Sequence, residues 1–251
     1  MVYISRSLEK IVLEVSKEYP VVLVTGPRQV GKTTMLQKLM EGTDRGYVSL
    51  DDLNERNLAK TDPELFLQLH KPPVLIDEVQ YAPELFTYIK IYADKNRSNG
   101  DFWLTGSQAF KLMQGIQESL AGRAAVLSLT SLSQAEVYGN RLEPFVPDMK
   151  KLSARSRERK PANVGEIFDR IYKGSMPAVI SGQNKNTHIF YSSYVTTYIE
   201  RDVRALSDSI DSLKFLHFIT AVAARCGQLL NIADIARDAD INQKQVKSWL
   251  S

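Results

Sequence analysis

"VVLVTGPRQVGKTTML", residues 21–36, decides how the rest of the chain is read. Val21 to Val24 are apolar, Gly26 follows, and a second glycine, Gly31, leads directly into Lys32, Thr33 and Thr34. An unbroken apolar run of this kind is a strand buried on both faces, and the residues from Lys32 to Met40 read as a helix. Between them "GPRQVGKT" repeats the pattern glycine, four residues, glycine, lysine, serine or threonine. Glycines allow such a loop to turn its N–H groups inward around phosphate oxygens. The helix that follows offers its free N–H groups and positive dipole end to the same anion. The expected nucleotide site is therefore Gly26, Pro27, Arg28, Gln29, Val30, Gly31, Lys32, Thr33 and Thr34, with ATP and Mg2+ as its ligands. Lys32 would reach the β- and γ-phosphates as a point charge, and Thr33 would place its hydroxyl on Mg2+. Arg28 either approaches the nucleotide or points to solvent.

A phosphate loop needs acids on another strand. "PPVLIDEVQ" supplies them, with Val74 to Ile76 as the strand and Asp77 and Glu78 at its end. A carboxylate there, Asp77, can hold the metal through water, and the adjacent Glu78 can orient and deprotonate an attacking water. This strand is expected to neighbour the first. "FWLTGSQ" ends a further strand in polar residues; Ser107, with Thr105 and Gln108 close behind, would face the γ-phosphate or the water, or else cap the next helix. Arg123, in "ESLAGRAAVLSL", precedes the fifth strand. It reads either as a finger reaching a neighbouring subunit's phosphates in a homo-oligomer or as an ordinary salt-bridged arginine. Asp51 and Asp52 close the second strand, where a helix cap is the stronger reading than support of the metal.

Working outward, the first half of the chain alternates between strands ("VVLVTG", "GYVSLDD", "PPVLIDEV", "DFWLTGS", "AVLSLTSLS") and helices ("SRSLEKIVLEVSKEY", "DPELFLQLH", "APELFTYIKIYADKN"). Apolar strands separated by helices give a parallel sheet covered on both faces. The fold class is α/β: a P-loop three-layer αβα parallel sheet followed by an all-helical lid and a winged-helix-like region. The expected domains are an ATPase core at 1–142, a basic linker and small helical lid at 143–186, and a helical winged-helix-like module at 187–251. "EPFVPDMKKLSARSRERKPANV" reads as a linker or mobile loop, being proline-flanked, basic and poor in apolar residues. Helices are expected over roughly 164–172, 187–206, 211–226, 231–238 and 242–250. The final helix runs to Ser251 without a cap, which reads as a piece of a longer protein.

The 251 residues, 43% hydrophobic, suffice for one large α/β domain and a smaller unit. No apolar run reaches the roughly 20 residues of a membrane span, and "MVYISRSLEK" carries charge too early for a signal peptide. A cytoplasmic setting follows. The single Cys226 excludes an intramolecular disulfide and, on an apolar helix face, is expected to be a buried thiol. His70, His188 and His217 lack ligand partners at metal spacing. The net charge of +3 is uneven: residues 1–149 hold 16 Lys/Arg against 19 Asp/Glu, and residues 150–251 hold 16 against 10. The basic half either faces nucleic acid or is simply a solvated surface.

Taken together, "YISR", "GPRQVGKTT", "VSLDD", "VLIDEVQ", "LTGSQ" and "SLAGR", with "YIERDVRAL" at 198–206 and the stretch 227–250, make the chain resemble the prokaryotic AAA-family ATPases that carry a C-terminal domain of unknown function. The resemblance spans nearly the whole chain. It implies an AAA+-like core, a helical lid and a winged-helix module. It carries Lys32, Thr33, Asp77 and Glu78 into the roles given above, with Ser107 as sensor and Arg123 as finger. In such proteins a further C-terminal domain normally follows.

Within "NIADIARDADINQKQVKSWL", Ile232, Ile235 and Ala236 face a core, a turn surrounds Ala239 and Asp240, and Val246, Trp249 and Leu250 pack from the second helix. Gln243, Lys244, Gln245 and Lys247 then face outward, where a major groove or a protein partner could meet them; Asp234, Asp238 and Asp240 would repel phosphates. The sequence reads as a Mg2+-dependent AAA+-like ATPase that couples hydrolysis to movement of its C-terminal module, acting on DNA or a protein. The alternatives are a nucleotide-switched DNA-binding regulator and a P-loop kinase of a small molecule.

Overall fold

Residues 3–107, 119–139, 145–158, 162–198 and 211–250 are described by a computed structural model of the chain. Five strands, β1 (Val21–Thr25), β2 (Gly46–Ser49), β3 (Val74–Asp77), β4 (Phe102–Gly106) and β5 (Ala124–Ser128), form one sheet in the order β2-β3-β4-β1-β5. All four pairings are parallel, with Leu23 opposite Leu104 and Val126, and Ile76 opposite Leu104. The acid-bearing β3 is thus not the neighbour of β1 that the sequence leads one to expect. β4 lies between them, and its own polar end therefore stands at the middle of the sheet edge.

Alternation along each strand explains the two helical layers. Val21, Leu23, Val74, Ile76, Phe102 and Leu104 face one side and pack with Phe66, Leu85, Phe86 and Ile89. Val22, Val24, Leu75 and Trp103 face the other and pack with Val12, Met35 and Leu36. The first side is covered by α3 (Leu53–Thr61), α4 (Pro63–Leu69) and α5 (Leu85–Asn96), the second by α1 (Leu8–Val15) and α2 (Lys32–Met40). Burial of each such side chain contributes on the order of 1.5–3 kcal/mol, so continuous apolar strands specify this sandwich more strongly than any single contact.

Helix boundaries follow capping chemistry. Asp52 accepts from the Asn54 and Glu55 N–H groups at the start of α3, and Asp62 from that of Leu65 ahead of Pro63. The cap reading of Asp52 holds; α3 itself was not expected, since "LNERNLAKT" buries only Ala59. The helices α6 (Gln134–Val137), α7 (Met149–Glu158), α8 (Val164–Lys173) and α9 (Pro177–Ile180) follow β5. α7 shows that 149–158, within the stretch read as a linker or mobile loop, is helical. Its Lys, Leu, Ala, Arg and Glu residues are good helix formers, and the Asp148 carboxylate accepts from the N–H groups of Lys150 and Lys151. In α1, Val12 is buried and Ile11 is exposed.

The chain divides into two compact units, residues 1–185 and 186–251. The second holds α10 (Thr187–Tyr198), α11 (Ser212–Ala223), α12 (Ile232–Asp238) and α13 (Gln243–Leu250), and among its described residues there is no strand. Phe215 and Phe218 of α11 meet Trp249 of α13 edge-on at 5.2 and 5.3 Å, over Ile235, Ala236, Ala239 and Val246. Gln243, Lys244, Gln245 and Lys247 are exposed as expected. Two expectations fail. Leu250 is exposed, because Val246 and Trp249 already fill the contact, and Cys226 is exposed, because α11 ends at Ala223 and the thiol lies in the turn beyond it. The segment 199–206 of "YIERDVRAL" falls outside the described residues.

At the N-terminal edge of the sheet, Arg45 donates from Nη2 to Gly100 O at 2.7 Å and from Nη1 to Asp101 O at 3.3 Å, and lies 4.0 Å over the Trp103 ring. Burial pushes its guanidinium down to about 10, against the opposing pull of Asp101. Arg45→Met keeps the apolar stem and removes the donors. It is expected to lower unfolding free energy by about 1–3 kcal/mol in urea titrations.

Candidate functional site

The loop between β1 and α2 is built on two left-handed glycines. Gly26 has φ +144° and a Cβ there would stand 2.0 Å from the Leu129 carbonyl oxygen; Gly31 has φ +91° and forms the N-cap of α2. Between them Pro27 and Gln29 are exposed, Arg28 is half-buried and Val30 is buried. Lys32, only 6% exposed, donates from Nζ to Gly26 O at 2.9 Å and to Pro27 O at 2.8 Å. Its ammonium therefore lies inside the curl of the loop. Thr34 is exposed on the first turn of α2.

Thr33 Oγ1 donates to Asp77 Oδ1 at 2.8 Å. The same carboxylate takes a short hydrogen bond from Thr105 Oγ1, at the end of β4, and a long one from the Tyr47 hydroxyl at 3.4 Å. Asp77 is 7% exposed and Thr105 fully buried, so these hydroxyls supply much of what water would otherwise give the carboxylate. Burial, then the Asp77 charge, raise the Tyr47 phenol above its ordinary range. Glu78 adopts φ +56°, an uncommon conformation for a residue with a side chain. Its N–H donates to Thr105 Oγ1 at 3.4 Å, and its Oε2 accepts from Ser107 Oγ at 3.4 Å and, more closely, from Gln80 Nε2. Two buried polar atoms nearby, Thr25 Oγ1 and Gln80 Oε1, have no hydrogen-bond partner among the described residues.

Lys32, Thr33, Asp77, Glu78 and Ser107 thus converge on the C-terminal edge of the sheet. Paired hydroxyl and carboxylate oxygens from Thr33 and Asp77 fit a hard divalent cation such as Mg2+. Among the described residues no cluster of three or more His, Cys, Asp and Glu forms another metal site. His70 instead meets Glu55 at 2.8 Å. Gln108 lies outside the described residues. Asp51 pairs with Arg56 at 3.7 Å.

Arg123 is not brought to this edge. Its carbonyl accepts from Val21 N–H at 3.3 Å, at the opposite end of β1, and strands of this length separate the two ends by roughly 13–16 Å. There Nε and Nη2 donate to the two oxygens of Asp94 at 2.6 and 3.0 Å. The hydrogen bond from Arg123 is the main cause holding the exposed Asp94 carboxyl below its usual range.

Sequence reasoning did not single out Tyr47, Gln80 or Arg6. Arg6 lies ahead of α1 and touches the loop: Nη1 donates to Val30 O and Nη2 to Thr130 O, both at 2.7 Å. Its Nε faces Glu136 Oε1 at 3.3 Å. Glu136 also accepts from the N–H groups of Ser7 at 2.7 Å and Ser133 at 2.8 Å.

Residues 18–138 match the family model of the AAA domain, and residues 165–251 that of a domain of unknown function (DUF8612). The first segment holds the whole phosphate loop and both acids. The chain is an AAA-family P-loop protein followed by a C-terminal domain of unknown function. Uncharacterised proteins of Mycobacterium tuberculosis and Mycobacterium bovis are each 29% identical to it over 234 residues, 92% of this chain and 47% of theirs. The chain spans about half the length of these curated relatives. Among solved structures, the Walker-type ATPase paby2304 of Pyrococcus abyssi matches with a TM-score of 0.55 at 15% identity, over 98% of this chain and 90% of its own. At that identity the likeness concerns the fold alone.

Thr105→Val is nearly isosteric. It strips Asp77 of a buried donor and leaves the Glu78 N–H without its acceptor, so a loss of about 1–3 kcal/mol in unfolding free energy is expected by urea titration. The pH response should trace Glu136. Burial raises its carboxyl, but the Ser133 and Ser7 N–H groups and the Arg6 charge outweigh that and hold it below its ordinary value of 4.5. A carboxyl depressed by folding stabilises fully above its unfolded value and loses that contribution as pH falls through the folded one. The drop in melting temperature between pH 7 and about pH 3.5 should accordingly be smaller in Glu136→Gln than in wild type.

Proposed function

We propose that this chain binds ATP with Mg2+ in the Gly26–Thr34 loop and hydrolyses it. The observation that carries the reading is the bond from Thr33 to Asp77, which joins the loop's hydroxyl to an acid on another strand with the Lys32 ammonium beside them. Thr33 and Asp77 would hold Mg2+, which when bound neutralises charge on the phosphate oxygens. Lys32 exchanges its Gly26 and Pro27 carbonyls for phosphate oxygens. Glu78 accepts the proton of a water whose oxygen attacks the γ-phosphorus. The bond from that phosphorus to the bridging oxygen breaks, and ADP and phosphate leave. Ser107 and Gln80 orient the Glu78 carboxylate through their hydrogen bonds to Oε2.

Arg123 acts, in this reading, only on a neighbouring subunit's nucleotide, since its own loop is at the other edge of the sheet. That requires a homo-oligomer. Residues 143–186 serve as a basic linker and small helical lid, and hydrolysis moves the helical unit of 187–251 to act on DNA or a protein partner in the cytoplasm. A second reading, a DNA-binding regulator switched by nucleotide, is favoured by the exposed Gln243, Lys244, Gln245 and Lys247 on α13. Mobility shifts across a salt series, with and without ATP, separate the two. A kinase would release no phosphate without an acceptor.

Glu78→Gln is expected to bind ATP as wild type does and to lose turnover by at least ~10²-fold, the scale of a lost general base. Equilibrium binding of a labelled nucleotide and steady-state phosphate release measure the two sides. Unchanged turnover removes Glu78 from the role.

A further inference from the structure

Arg6 reaches the phosphate loop from outside, and peptide stereochemistry gives its grip a consequence. Arg6 is 6% exposed and spends its two terminal nitrogens on the carbonyls of Val30 and Thr130, both at 2.7 Å. Val30 is the last residue before Gly31. In a planar trans peptide the carbonyl oxygen of one residue and the N–H of the next point in opposite directions. A Val30 carbonyl held toward Arg6 therefore sends the Gly31 N–H to the other side. The left-handed Gly31, with φ +91°, then leads straight into the first turn of α2. An anion nest needs successive N–H groups facing inward. If the Val30–Gly31 peptide flipped, a carbonyl lone pair would stand where a donor is required.

From this we infer that Arg6 is a positioning residue for nucleotide binding: by holding the Val30 carbonyl outward it presents the Gly31 N–H to the phosphates. The inference rests on the phosphate-site reading above. Two further features support it. The other end of the loop is already fixed to the strand-β5 side, where Gly26 abuts the Leu129 carbonyl with no room for a Cβ. Arg6 supplies the second tether to the same segment through Thr130, so the loop is pinned at both ends against one rail. The guanidinium is itself pre-aligned, with Glu136 at 3.3 Å from Nε and the Glu136 carboxylate fixed by Ser7 and Ser133. Lysine does not reproduce it, because its single nitrogen cannot stand at both terminal positions of the fork, on the Val30 and Thr130 carbonyls, and beside Glu136 as well.

The test compares wild type, Arg6→Lys and Arg6→Ala as the full chain. ADP carrying a fluorescent ribose label is titrated by anisotropy, and kcat and KM for ATP are taken from phosphate release. Both variants are expected to bind labelled ADP at least about tenfold more weakly, the scale of a lost charge-assisted hydrogen bond. KM should rise by a similar factor while kcat at saturating ATP stays within about threefold, because the bound nucleotide restores the loop's geometry. Millimolar guanidinium should recover affinity in Arg6→Ala, and ammonium at the same concentration should not. If Arg6→Ala does not fold, Arg6→Lys, which keeps the charge and most of the volume, decides the matter alone. Wild-type affinity in Arg6→Lys overturns the proposal, and so does a fall in kcat with KM unchanged. Should wild type itself bind no labelled nucleotide, the phosphate-site reading falls and this proposal with it; tight wild-type binding matched by Arg6→Lys overturns this proposal alone.

Discussion

The hydrogen bond from Thr33 to Asp77 joins residues 44 apart in the chain, and the site exists only because the sheet brings them within 2.8 Å. β1 and β3 run parallel, so both deliver their C-terminal ends to one edge. β4 stands between them and adds Thr105, whose hydroxyl meets the same carboxylate. A parallel sheet of this kind needs both faces covered, and the apolar strands with their two helical layers meet that need. The chemistry at the edge is thus a consequence of burial in the middle. The crevice outside the carboxyl ends of parallel strands is where ligands of such sheets generally lie.

Placing a buried ammonium and a buried carboxylate at that edge is costly unless both are hydrogen-bonded. The chain meets the cost locally. Lys32 takes two loop carbonyls, and Asp77 takes three hydroxyls. Each of these partners is one that a phosphate or a cation could replace or share, so the same bonds that tolerate burial also keep the groups exchangeable. Residual tension collects at the same place. Glu78 is held left-handed, and Thr25 Oγ1 and Gln80 Oε1 are buried without partners among the described residues. Strain and unmet polar atoms of this kind cluster where proteins bind and react.

Much of this was legible in the residues because it rests on local chemistry. Strands β1, β3 and β4 announce themselves as apolar runs, and the loop as glycines and a lysine at fixed offsets. Asp52 reads as a cap because its carboxylate reaches N–H groups two and three residues on. What escaped depended on long-range placement or on surface exposure. The order of strands is invisible to periodicity, so β3 was taken for the neighbour of β1. Tyr47 reaches Asp77 across 30 residues and Arg6 reaches Thr130 across 124, and no spacing rule connects such pairs. α3 and α7 carry little apolar signal and hold together through caps and helix-forming side chains. Cys226 and Leu250 failed for the converse reason: apolar neighbours suggested burial, but each sits just past the contact its helix makes.

The two ends of the sheet also divide the proposed chemistry between subunits. Phosphate loop and acids lie at the C-terminal edge, while Arg123 lies at the N-terminal edge, clasped to Asp94 through both carboxylate oxygens. Nothing within one rigid sheet can carry that guanidinium across the length of a strand. In the proposed reading another copy would have to bring it near a γ-phosphate, and Arg123 would first have to leave Asp94. The pair is exposed and screened by salt, but its two parallel bonds make it the stronger kind of surface ion pair. Arg123 is therefore held in a defined orientation at the rim. The proposed finger would act across an interface only where a more highly charged partner outcompetes Asp94.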